Sequence, residues 1–278
     1  MRLSRINIKT LIVTIFLISY AVVQLFPLFW MILFSLKSNS EIFGGNPIGI
    51  PHEFLWSNYE NVLTNGKVGI YFVNSVIVTF VTILISVIAS SMVGYAIVRM
   101  KWKLSKFVLT LFLVGMMIPI HAVLLPLFII LSGMGQLNSY QALVLPYVAF
   151  SLPMSIFILT SFLESIPREL EEAACIDGCN IYQIFFKIVF PLIRPGIATI
   201  SILIYLQSWN ELMFATTFIN SVKFKTLTVG IMQMVGEYST EWGPIGAGLV
   251  VATLPTIVIY SFLSKQVQDS LMAGALKG

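Results

Sequence analysis

IPRELEEAACIDGCNIYQIFFKIVFPLIRP, residues 166–195, is a polar and charged island between two long apolar stretches, Ala142 to Leu163 and Ile197 to Ile219. Its reading decides the fold. Each flank approaches the roughly 20 apolar residues that a helix needs to cross the hydrocarbon core of a bilayer, so the island is a loop between two membrane spans. Within it, Pro167 suits the first position of a helix, where its missing N–H costs nothing. Glu169, Glu171 and Glu172 crowd the first turn, where the helix dipole favours anions. Leu170, Ala173 and Ala174 fall on one face at spacings of three and four. The helix is predicted to stop at Asp177 and Gly178, with the glycine making the tight turn. Asn180 can cap a second helix, whose apolar stripe is Ile181, Ile184, Phe185, Ile188 and Val189. Pro191 closes that helix and Pro195 opens the next span. The island therefore reads as a compact helix-turn-helix block.

Outward from the island, six apolar runs reach or approach spanning length: 11–34, 73–98, 107–131, 142–163, 197–219 and 245–263. With 58% hydrophobic and 10% charged residues in 278, the chain is far more apolar than a soluble domain. Helices are expected because backbone polar groups in lipid must be satisfied internally. The short alternating strands of a membrane barrel are absent from the sequence. The expected fold is thus an all-α membrane protein with six transmembrane helices, read as one domain over residues 1–278. The first run is too long for a signal-peptide core and lacks a small-residue cleavage site, so it is expected to be retained.

The 16 Lys and Arg residues set the orientation. Arg2, Arg5, Lys9, Arg99, Lys101, Lys103, Lys106, Arg168, Lys187, Arg194, Lys265 and Lys277 fall on the side of the N-terminus. Only Lys37, Lys67, Lys223 and Lys225 fall on the other. This bias places both termini and the island in the cytoplasm. It also accounts for the net charge of +4 without nucleic acid as a partner. Cys175 and Cys179 are then cytoplasmic and reduced. With no nearby His they make a poor zinc site, and they read as small residues on a helix face.

Other segments give local expectations. The outer loop, residues 37–69, has room for short surface helices but not for a domain. Arg99 to Lys106 reads as an anchor at the inner leaflet. Ser90 and Gly94, four apart, let another helix approach closely. Pro119 and Pro126 predict a bend or break in the third span.

The series Glu172, Ala173, Ala174, Gly178, Ile188 and Pro191 resembles the EAA motif of ABC-importer permeases. The flanks resemble the carbohydrate-uptake branch of that family: NYENVL at 58–63, YFVNS at 71–75, MIPIHAVLLPLF at 117–128, LPYVAF at 145–150, SWNELMF at 208–214 and the tail AGALKG. The likeness covers nearly the whole chain. Departures are few: Phe190 stands where the family usually has Leu, Cys175 where it often has a basic residue, and Cys179 where it often has Ala. The resemblance implies the type I ABC-importer permease fold. It also implies that Glu172, Ala173, Ala174, Asp177, Gly178, Ile188 and Pro191 belong to a coupling-helix block seated in a groove of a cytoplasmic ATPase dimer. The other implied partners are a second homologous permease subunit, an extracytoplasmic solute-binding protein, a sugar substrate and membrane lipid. The implied location is the bacterial inner membrane.

No GxxxxGK[ST] phosphate loop occurs in the sequence, so ATP hydrolysis is assigned to a separate subunit. No catalytic grouping, metal site or cofactor motif is evident either, and the chain reads as a transport subunit rather than an enzyme. Glu211 is the one carboxylate well inside a predicted span, which makes it a functional candidate. Gln207, Trp209, Asn210 and Glu211 together offer the hydrogen-bonding groups and aromatic face that a sugar needs. Asn74 and His121 are further candidates to line the same path. The other reading of Asn210 and Glu211 is that they bond to a neighbouring helix and fix its packing. Two alternative functions stand beside the sugar importer: an ion-coupled secondary transporter using Glu211, and an ABC permease for a polyamine or phosphate ester.

Overall fold

The apolar runs fold as helices because lipid offers the backbone no other partners. The structure, a computed structural model, describes residues 8–100, 102–236 and 240–275, with side chains as far as residue 262. Arg2, Arg5, Lys101 and Lys277 of the charge pattern lie outside the described residues, as does the side chain of Lys265. Among the described residues, all regular structure is helical.

Four helices are long and apolar enough to cross a membrane: α1 (Ile8–Ser35), α4 (Val68–Arg99), α7 (Gln141–Glu164) and the Trp242–Phe262 part of α14 (Trp242–Ala275). Two bent pairs, Ser105–Gly115 with Ile120–Gly133 and Ile181–Leu192 with Arg194–Asn210, raise the count to as many as six if each is one span. In the first, α5 (Ser105–Gly115) meets a 3-10 turn (Ile120–Val123) and α6 (Leu124–Gly133) at 88°. The predicted break falls at Pro119, which leaves the helical region with ψ 120°. Pro126 breaks nothing, because it lies in the first turn of α6, where its missing N–H is tolerated. The span expected over 107–131 is therefore built of two helices, broken at the first of the two prolines. The run 197–219 is also divided, into α11 (Arg194–Asn210) and α12 (Met213–Phe218), with Glu211 extended between them at ψ 129°.

The chain forms two compact units. The first comprises Met1–Val68 and Ile231–Leu254. Within it α1 is exposed almost throughout, and only Ser35 at its end is buried. The loop that follows carries two short helices, α2 (Asn39–Phe43) and α3 (Ser57–Thr64), as its length suggested. Polar side chains order it. Buried Asn58 donates to the carbonyls of Ser35 at 2.9 Å and Lys37 at 3.0 Å. Lys37, itself buried, donates to the Asn46 carbonyl at 2.7 Å. The Glu41 carboxylate accepts from the His52 backbone N–H at 2.9 Å, and its contacts with the His52 ring and the Asn46 amide are 2.8 and 2.6 Å. Partial burial alone would raise the Glu41 pKa. The His52 N–H, the Asn46 amide and the His52 ring together outweigh it and hold the carboxyl below its ordinary value.

The second unit comprises Gly69–Gly230 and Pro255–Gly278. It contains two apolar cores. One joins α4, α6, α7 and α12 through Val78, Leu131, Leu143, Tyr147, Phe214 and Phe218. The other joins α4, α7 and α11 to the island through Tyr95, Leu163, Ala174, Phe185, Val189 and Ile200. The close approach expected at Gly94 occurs: a Cβ there would stand 3.2 Å from Leu163 Cδ1 of α7. A polar stripe on α4 faces inward, and the hydroxyls of Ser86 and Ser151 meet across to α7 at 2.7 Å.

Candidate functional site

The island folds as two helical pieces around a turn. α8 (Glu169–Ile176) begins two residues after Pro167, so Pro167 precedes the helix instead of opening it, and three glutamates occupy the first turn. At its end the Cys179 N–H bonds to the Ala174 carbonyl at 2.9 Å and the Gly178 N–H to the Cys175 carbonyl at 3.1 Å. This is a Schellman closure, and it requires the left-handed backbone that Gly178 adopts at φ 81°. Asn180 then forms a full capping box: its side chain accepts from the Gln183 N–H at 3.0 Å, and the Gln183 side chain accepts from the Asn180 N–H at 2.9 Å.

The second piece starts as α9 (Ile181–Ile184), widens into a π-helical turn (Phe185–Val189) and ends as α10 (Phe190–Leu192). Pro191 lies inside α10 and does not close it. The chain turns by 73° at buried Ile193 before entering α11. Ile184, Phe185 and Val189 of the expected stripe are buried, Ile188 and Pro191 are half-buried, and Ile181 is exposed. The π turn shifts the register, which is why the stripe does not turn inward as one row.

The face of α8 also differs from expectation. Ala174 is buried, but Leu170, Glu172 and Ala173 are exposed. The inward positions are Glu171 and Ala174, three apart. Glu171 sets this phase: its Oε1 lies 2.8 Å from Arg99 Nε, and its other carboxylate oxygen accepts from the Tyr95 hydroxyl at 3.0 Å. Arg99, expected to be a membrane-surface anchor, is instead drawn into this pair, with its side chain only 6% exposed. Tyr95 and Arg99 lie four apart on α4. That spacing placed them on one face, but nothing in the sequence named the partner.

The outer surface of the block is unusually apolar for a loop. Ile176 is 87% exposed and Tyr182 71%, with Leu170, Ile181 and Phe186 exposed beside them. Cys175 is exposed, Cys179 half-buried, and both are free. Among the described residues no His, Cys, Asp and Glu grouping could hold a metal ion.

The candidates for the substrate path are dispersed, and most are occupied by contacts of their own. Glu211 accepts from the Tyr147 hydroxyl at 2.5 Å and from the N–H groups of Phe214 at 2.8 Å and Ala215 at 3.1 Å. Its carboxylate thus caps α12 and ties it to α7. The Asn210 amide donates to Leu206 of its own helix at 2.8 Å. Trp209 is buried, stacked on Tyr205 at 5.5 Å and edge-on to Phe72 at 5.8 Å. Buried Asn74 donates to the carbonyls of Lys223 and Lys225, each at 2.9 Å, and accepts from the Tyr140 hydroxyl at 2.8 Å. It fastens the 220–226 loop to α4. Gln207 is exposed and borders a cavity of about 40 Å³ with Ser151, Ser155 and Ile204. His121 is exposed in the 3-10 turn just past the break at Pro119.

Residues 83–272 match the family described as "Binding-protein-dependent transport system inner membrane component", and the chain belongs to that family. It is a multi-pass inner-membrane transport component. Among its relatives it is 35% identical to the sulfoquinovosyl glycerol transport system permease protein SmoH of Agrobacterium fabrum, over 91% of this chain and 89% of that protein. It is 33% identical to the trehalose/maltose transport system permease protein MalG of Thermococcus litoralis, over 98% of each chain. The fold matches a chain of a bacterial ABC transporter that imports the acidic polysaccharide alginate, with a TM-score of 0.81 and 22% identity over 95% of this chain and 99% of that one.

Proposed function

We propose that this chain is one of two permease subunits of an ATP-driven importer for a sugar or oligosaccharide, forming a single transport domain over residues 1–278. An extracytoplasmic binding protein delivers the solute, and a cytoplasmic ATPase dimer drives the cycle. Both termini and residues 166–195 are cytoplasmic, following the charge bias. The named sugars of the SmoH and MalG relatives support the solute class. Glu172, Ala173, Ala174, Asp177, Gly178, Ile188 and Pro191 lie in the block that the ATPase engages. The observation that carries this reading is the block's exposed apolar surface, centred on Ile176 and Tyr182, on a helix pair whose inner side is packed into the spanning core. Such a surface marks a protein contact, and a rigid block transmits displacement where a loose loop would absorb it.

Gln207 and His121, both exposed, face the solute path in this reading. Asn74, Trp209, Asn210 and Glu211 shape its wall through the bonds described above. The test is uptake of labelled trehalose, maltose and related glycosides into proteoliposomes that contain the assembled transporter and internal ATP, with ion gradients collapsed by ionophores. Uptake that needs ATP and binding protein and survives the ionophores is expected. Loss of uptake on collapse of the gradients, with ATP maintained, would refute the proposal in favour of ion coupling.

A further inference from the structure

Three elements meet at the cytoplasmic end of α4. Arg99, its last residue, donates to the carbonyls of Leu163 at 2.8 Å and Ile166 at 2.7 Å, where α7 ends. Its Nε lies 2.8 Å from Glu171 Oε1 of α8. These two atoms are not aligned for a hydrogen bond, so charge holds them. One turn earlier on α4, Tyr95 donates to the second oxygen of Glu171 at 3.0 Å. Arg168, just before α8, donates back to the Val98 carbonyl at 3.2 Å. The Arg99 and Glu171 side chains are only 6% and 14% exposed, so water screens the pair little.

By contrast, the apolar hold on α8 is slight, since Ala174 is its one buried residue. A single methyl gives a helix of eight residues little purchase against sliding or rolling. The Tyr95 hydrogen bond and the Arg99 charge contact, made by the two oxygens of one carboxylate, together fix the position of Glu171 along α4 as well as its rotation. Because Arg99 grips the end of α7 with the same guanidinium, any shift of Glu171 is shared between α4 and α7.

We propose that Arg99, Glu171 and Tyr95 are positioning residues that carry the displacement of α8 into α4 and α7. The proposal rests on the reading of residues 166–195 as the block an ATPase engages. It adds that the transmitted motion depends on a desolvated ion pair rather than on apolar packing alone.

The test uses the assembled transporter, with hydrogen exchange compared between the nucleotide-free state and the state trapped by ATP and vanadate. In the wild type, peptides from the block (169–192) and from the ends of α4 (92–100) and α7 (157–166) are all expected to change exchange rate on trapping. In Glu171→Gln the block still responds, while the response at the two helix ends falls about tenfold, the scale of a modest coupling free energy. Glu171→Asp, which keeps the charge, restores part of it. An equal response at the helix ends in Glu171→Gln and wild type would overturn the proposal. So would a proportionate fall in the block and the helix ends together, which marks a merely structural role. If Glu171→Gln fails to assemble, Tyr95→Phe, which leaves the ion pair intact, decides by the same comparison with an expected fall of about twofold. If the wild-type block itself does not respond to nucleotide, the reading of the block fails and takes this proposal with it. If the wild type responds throughout and the variants do too, only the clamp is refuted.

Discussion

Gly178 allows the contribution of this chain to be separated from that of its partner. A Cβ built at Gly178 meets no heavy atom within 4 Å, so the chain itself penalises a side chain there only through the backbone, at φ 81°. For Ala or Trp that penalty is about 1–2 kcal/mol, which changes the ratio of intact to frayed turn by roughly 5- to 30-fold. Asn tolerates the left-handed region and should cost less. Ala and Trp share the backbone cost, so any difference between them must arise outside this polypeptide. With a partner groove against the turn, Gly178→Asn should resemble wild type and Gly178→Ala should lose some thermal stability in detergent. Gly178→Trp should match Ala in stability but lose ATP-driven uptake while the complex still hydrolyses ATP. The assay combines thermal unfolding of the permease, retention of the ATPase on purification, and uptake and hydrolysis measured in the same proteoliposomes. Equal uptake by the Ala and Trp variants would show that nothing occupies the space beside the turn, and the coupling assignment would be wrong.

Two further outcomes follow from the site geometry. Glu211→Gln keeps the shape but removes the charge that three donors share, so it should destabilise the protein by about 2 kcal/mol. Its uptake KM should stay near wild type, and a large KM change with unaltered stability would make Glu211 a solute ligand instead. In the outer loop, the Glu41 carboxyl is held below its ordinary value of 4.5, so its contribution to loop stability is present above that value and is lost as pH falls through the lower, folded one. Protection of the His52 amide, corrected for intrinsic exchange, should therefore drop in acid. Protection that persists at pH 2–3 would show that the Glu41 contact does not hold the loop.

How much was legible in the sequence depends on which physical signal each feature leaves. The four unbroken apolar helices follow from apolar length, and the break at Pro119 follows from a proline that cannot donate. The turn at Gly178 and the cap at Asn180 also have local signatures, and the structure contains both. Apolar spacing favours Leu170 on the inner face of α8, whereas a largely buried charge pair between residues 72 positions apart decides its phase. A long-range ion pair has no local pattern. The π turn at Phe185–Val189 is equally silent, since no local residue pattern marks it, although Val189 and Ile193 are fully buried in the core beside it. Glu211 shows the limit in another way: the sequence identifies an intramembrane carboxylate, but only the fold reveals that Tyr147 and two backbone N–H groups already satisfy it.

The corner between α5 and α6 bears on where lipid can touch this protein. In an unbroken helix each carbonyl is closed by an N–H one turn on. At the 88° bend around Pro119 that ladder shortens, with the Met117 N–H on the Val114 carbonyl at 3.0 Å and the Ile118 N–H on the Gly115 carbonyl at 3.3 Å, and then stops at a residue that has no N–H. Acyl tails offer neither donors nor acceptors, so a bare corner of backbone survives only against protein or water. If α5 and α6 form one span, the carbonyls left open by Pro119 call for protein or water beside this corner rather than lipid. His121, exposed and two residues past Pro119, puts a polar side chain at the same place.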